Sequence, residues 1–180
     1  KEAESFMRSI VALAKNLATA KAVAPEEIDA ARVDIARARE YVKKYDADIR
    51  DSIEAEIRAA ATELERAELE MGGAKPNYLK VVEHAQLANS KADAVLASAR
   101  DEHEAAERLR AQAISVLRSA EAAYSKAQEY IEDHDEDVDS GAKTHLRDAL
   151  AQLNSAKSSG YRTPDDLSKR IEWAKASQKS

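Results

Sequence analysis

Apolar residues recur along most of this 180-residue chain in steps of three and four, the spacing that gathers side chains on one stripe of an α-helix. Phe6, Ile10, Leu13, Leu17 and Ala20 form a first stripe, and Ile28, Ala31, Ile35, Ala38 and Val42 form a second. Pro25 stands between them, directly before Glu26 and Glu27. Proline suits a first helical turn and acids there favour the helix dipole, so a helix start at about residue 25 is expected. A kinked helix continuing through Pro25 is the alternative. A third stripe, Ile49, Ile53, Ile57, Ala60, Leu64 and Ala67, stops at Gly72-Gly73, and Pro76 opens the next element.

Between Pro76 and Gly141 nothing breaks the pattern. Positions 78, 82, 85, 92, 96, 99, 106, 113, 117, 120, 124, 127 and 131 are apolar, with Asn89, His103 and Arg110 in the stripe's remaining places. A single helix from about Pro76 to Asp133 is predicted, which would extend ~85 Å and join two bundles rather than sit in one. Two further stripes follow, Ala142, Leu146, Ala149, Leu153 and Ala156, then Leu167, Ile171 and Ala174. Ser158-Ser159-Gly160 and Thr163-Pro164 separate them, with Thr163 as the expected cap.

The chain also repeats itself. Glu40-Tyr41-Val42 returns as Glu129-Tyr130-Ile131, Ile57-Arg58 as Leu146-Arg147, Leu64 as Leu153, and Val82-Glu83-His84-Ala85 as Ile171-Glu172-Trp173-Ala174. The pairs share one offset (131 − 42 = 89). Since 89 is not a multiple of seven, heptad periodicity alone does not produce it, and a structural repeat is the better account. The expected fold is therefore all-α: two tandem spectrin-like three-helix bundles sharing a long continuous connecting helix. The first repeat spans 1–98 and the second 99–180. Residues 1–24 belong either to the end of a preceding repeat or to the front of the first helix.

Composition agrees with this and narrows the function. Charged residues make up 34% of the chain and aromatics 4%, the profile of helices packed through narrow seams. A net charge of −6 argues against nucleic-acid binding and against an anionic membrane surface. The absence of cysteine removes disulfides, thiolate metal sites and cysteine nucleophiles. No apolar run is long enough to cross a bilayer, so no direct membrane insertion by this segment is expected. The start at Lys1 without Met reads as a mature form or an excised fragment.

Candidate chemistry is sparse. Asp133, Asp135, Asp137 and Asp139 alternate like ligands of a calcium loop, but Val138 stands where that loop needs glycine and Thr144 where it needs glutamate. The run reads as a solvated turn. His84, His103, His134 and His145 include no i, i+4 pair suited to zinc. His103, between Glu102 and Glu104 and near Asp101, reads as a half-buried seam residue where the bundles meet, and Asn89 and Arg110 as polar seam residues that fix register. Glu54, Glu56, Glu63, Glu65, Glu68 and Glu70, interleaved with Arg58 and Arg66, read as a solvated face laced with ion pairs. Trp173 reads as a core plug of the last helix. No nucleophile elbow or phosphate loop is present. No catalytic, cofactor or metal residue is therefore expected, and the chain is not expected to be an enzyme.

The stretch Val82-Glu83-His84-Ala85-Gln86-Leu87-Ala88-Asn89-Ser90-Lys91-Ala92-Asp93-Ala94-Val95-Leu96, with the aromatic-aliphatic pairs Tyr41-Val42 and Tyr130-Ile131, resembles the helical region that follows the TPM domain in actinobacterial membrane-associated proteins. That resemblance implies a helical appendage on the cytoplasmic side of a membrane-anchored bacterial protein. It carries over no activity, because the TPM domain itself is not in this sequence. The expected function is a non-enzymatic structural or interaction module, a helical spacer or scaffold for protein partners, with a homodimer through the long helix as one option. An amphipathic membrane-surface scaffold and a metal-binding bundle are the alternatives.

Overall fold

A computed structural model describes residues 2–180. Among these the chain is all-helical, with no strand: α1 (Glu2–Lys44), a 3-10 turn at Asp46–Asp48, α2 (Ser52–Met71), α3 (Tyr78–Asp133), α4 (Ser140–Ser158) and α5 (Pro164–Ser177). Two compact units divide within α3, one ending at Asp101 and the other running from Glu102 to Ser180.

In the first unit α1, α2 and the opening turns of α3 enclose a common core. Ile35 and Ala38 of α1, Ile53 and Ile57 of α2, and Ala92, Val95 and Leu96 of α3 are all buried in one cluster. Alanines recur where the helices come closest, and Ala31, Ala60, Ala88 and Ala99 lose all of their accessible surface. Ile53 is the largest fully buried side chain there. Ion pairs and hydrogen bonds lace the rim, including Arg32 to Glu68 at 2.7 Å and Gln86 to Glu27 at 2.9 Å.

One expectation about α1 needs correction. The helix does not start at Pro25 but runs through it from Glu2. Proline removes one amide donor and crowds the carbonyl four residues back, at a cost of ~3 kcal/mol. Ala24 and Ile28 flank it in a buried cluster with Ala67, Val81 and Ala85, and that packing holds the backbone helical across the break. Residues 2–24 are continuous with the rest of α1. Along their apolar stripe Phe6, Ile10, Leu13 and Leu17 are exposed, and burial begins at Ala20.

The second unit comprises the later part of α3 with α4 and α5. Ala120 of α3, Leu153 and Ala156 of α4, and Ala174 of α5 form one buried cluster, and Ala113, Leu167 and Ile171 form another. Asp139 caps α4 by accepting a hydrogen bond from the Ala142 amide at 2.8 Å. Thr163 caps α5 in a reciprocal capping box with Asp166, and Pro164 occupies the first turn. Ser177 closes the unit, donating from Oγ to the Ala149 carbonyl at 2.8 Å.

Candidate functional site

Several polar side chains converge on Glu63, inside the first unit. Glu63 stands three residues after Ala60 and four before Ala67, both fully buried, so its side chain is carried into the α2 seam. Only 6% of the residue is exposed. This overturns its expected place on a solvated acidic face.

Three cationic or hydrogen-bonding partners compensate the buried carboxylate. Lys91 Nζ donates to Oε1 at 3.1 Å, Arg66 donates to the same oxygen at 3.0 Å, and His84 Nδ1 lies 3.0 Å from Oε2. Lys91 and His84 come from α3 and Arg66 from the next turn of α2, so the cluster ties two helices. The Lys91 hydrogen bond, aided by His84 and the Arg66 charge, outweighs burial and lowers the Glu63 pKa to about 2. A carboxylate so held stays ionised at neutral pH and has no proton to donate. Both of its oxygens are engaged by helix-bound partners. The arrangement fits register-setting between α2 and α3, the use of buried charge best attested in helical assemblies.

The second unit does not reproduce this cluster. At the offset of 89, Glu63 becomes Gln152, Arg66 becomes Ser155, His84 becomes Trp173 and Lys91 becomes Ser180. Gln152 Oε1 is shut off from solvent without a hydrogen-bond partner, as is Asn89 Oδ1 on the α3 seam.

The other residues singled out by sequence are dispersed. The acidic run lies in an exposed turn: Asp139 is the α4 cap, Asp135 pairs with Lys143, and His134 stacks on Tyr130 with ring centroids 4.3 Å apart. His103 is half-buried on α3, and His145 is exposed on α4. Arg110 bonds Glu107 and the Arg162 carbonyl. Trp173 is not a core plug; it is 45% exposed, because it falls between Ile171 and Ala174 and off the buried line they share with Leu167 and Ser177.

Three open clefts lie on the surface of the described residues. In the first unit, a cleft of about 480 Å³ is lined by Arg39, Lys43, Arg58, Asp46 and Glu54 around Val42 and Ile57. In the second unit, a cleft of about 340 Å³ lies beneath Tyr161, Ile114 and Leu117. A third, of about 470 Å³, is bounded by α3, α4 and the end of α5 and is floored by Tyr124, Ala127, Ile131, Val138, Ala142 and Leu146. Its lining is apolar apart from its rim. Periodicity had placed all of these but Val138 on apolar stripes, and it carries no sign that the surface between them is left open. Glu63 could have been found from its place between Ala60 and Ala67.

No family model, no curated protein and no solved structure matches this chain.

Proposed function

We propose that this chain is a non-enzymatic structural and interaction module, built as two tandem spectrin-like three-helix repeats and serving as a helical spacer or scaffold for protein partners. One contrast carries this reading: the polar cluster at Glu63 is saturated internally, whereas large apolar side chains face solvent on α1. Phe6, Met7, Val11 and Leu13 are each more than 60% exposed. Apolar patches of this extent mark association surfaces. The likeness of residues 82–96 to the helical region beyond TPM domains extends the proposal to a membrane-anchored bacterial protein.

The test is a thermal-shift screen of the purified chain against divalent metals, nucleotides, cofactors and common metabolites. The module reading expects no ligand to raise the melting temperature. A metal or small molecule that stabilises the chain in a saturable, concentration-dependent way would overturn it.

A further inference from the structure

The later part of α3, the α4–α5 connection and the start of α5 enclose the cleft beneath Tyr161. Ala113, Leu117 and Leu167 give it an apolar floor, and Ile114 and Tyr161 stand at its edge, 52% and 69% exposed. At the offset of 89, Leu167 and Arg170 correspond to Tyr78 and Val81. In the first unit Val81 is fully buried and packs with Ala24, Ile28 and Tyr78, so the same place there is filled from within. With leucine and arginine at those positions, the second unit has an open volume of about 340 Å³. That is near the ~300 Å³ lower end of ligand pockets, room for a large side chain rather than a whole cofactor.

The charges around this floor are not balanced. Glu121 is engaged by Lys157 at 2.9 Å, and Arg110 by Glu107 and the Arg162 carbonyl. Arg170 of α5 donates to the Ser159 carbonyl at 3.5 Å, a neutral acceptor that leaves its charge uncompensated. Arg118 of α3 meets no carboxylate among the described residues. Two positive charges, one on each helix, thus border an apolar cleft in a chain of net charge −6. At the corresponding places the first unit has Asp29, which pairs with Arg32 at 2.8 Å, and the buried Val81, so neither charge has a counterpart there.

We infer that this cleft docks an acidic segment of a partner protein. One large apolar side chain of the segment enters over Leu117 and Leu167, and carboxylates on either side of it pair with Arg118 and Arg170. Arginine suits the part, because its planar fork meets a carboxylate through two parallel hydrogen bonds and also lies flat on aromatic surface. Tyr161 and Ile114 supply apolar contact around the entering side chain, and aromatic and arginine side chains are those that interface centres concentrate. Two arginines on separate helices call for two carboxylates, which an acidic peptide supplies and a single-headed lipid does not.

The inference rests on the interaction-module reading, and its test separates the two. A library of random dodecapeptides displayed on phage is selected against the immobilised full chain, and enriched peptides are resynthesised with a fluorophore and titrated by anisotropy. The expected peptides carry a leucine or aromatic residue flanked by aspartate or glutamate. They should bind about tenfold more weakly to Arg118→Glu and to Arg170→Glu than to the parent. Arg58→Glu makes the same change of charge in the first unit and is expected to bind as the parent does. Circular dichroism checks the fold of each variant, and Arg118, exposed on α3, carries the test alone if Arg170→Glu fails to fold. Binding should also weaken as salt rises from ~50 mM to ~500 mM, because both arginines reach solvent. Selection that enriches no acidic peptide, or peptides that bind the parent and all variants equally, would overturn the inference and leave the module reading in place. Saturable stabilisation by dodecanoate that is lost in Arg118→Glu would assign the cleft to a small amphiphile and overturn both.

Discussion

Glu63 of α2 and His84 of α3 meet at 3.0 Å, His84 bringing a ring nitrogen to the carboxylate oxygen that Lys91 and Arg66 leave open. Two helices are thereby keyed at one level, because sliding either by a turn (~5.4 Å) would break the His84 and Lys91 contacts. Replacing Glu63 with Gln keeps the shape and removes the charge. A loss of about 1–2 kcal/mol is expected at neutral pH, read from urea unfolding, since Lys91 and Arg66 reach solvent and retain their hydration.

The same carboxylate gives a pH signature. Its folded pKa of about 2 lies below its ordinary value of 4.5, so the folded state binds this proton less tightly than the unfolded chain does. The stabilisation is therefore complete above pH 4.5 and is lost as pH falls toward 2. Thermal melts across that window should show a steeper decline for the parent than for Glu63→Gln. Parallel curves for the two proteins would remove Glu63 from the acid response.

Pro25 is a cost carried by packing. Pro25→Ala restores an amide donor and relieves crowding at the Lys21 carbonyl without touching the buried contacts of Ala24 and Ile28. A gain of about 1–3 kcal/mol in the first unit is expected from chemical denaturation. An unchanged midpoint would mean that the surrounding helix has already absorbed the defect.

Those three positions also show how far the pattern of residues reached. Helix ends written in capping chemistry were legible: Thr163-Pro164 starts α5, and α2 ends at Met71, just before Gly72-Gly73. The unbroken helix leading to Asp133 was legible because it rests on many positions at once. Pro25 misled because a local preference of a few kcal/mol yields to tertiary packing. Glu63 was missed because charge was read before phase, although its spacing from Ala60 and Ala67 matches that of Leu64. Periodicity marks which face of a helix is apolar and is silent on what covers it, so Phe6 to Leu17 looked like a core stripe while standing in solvent.

The α5 cap offers a coupled test. A Cβ on Gly160 would come within 2.6 Å of the Asp166 carboxyl group, the residue that completes the capping box with Thr163. Thr163→Ala is expected to destabilise the second unit by about 1 kcal/mol. Gly160→Ala should cost a similar amount by displacing the same carboxylate. The double variant should lose less than the two added together, because both remove one motif. Full additivity would show that Gly160 acts through some other contact.

In the first unit's core, Ile53→Ala empties a site with no exposed surface and should cost about 2–5 kcal/mol. The loss is expected in the unfolding of the first unit, with the amides of α4 and α5 keeping their exchange protection. Equal loss of protection in both units would mean that they unfold as one.

The most direct test of the account as a whole is amide hydrogen exchange on the intact chain. Two compact units predict two protected cores that open independently, one around Ile53 in α1, α2 and the opening turns of α3, the other around Leu153 and Leu167 in α3, α4 and α5. Protection lost from both cores together in a single step would contradict it.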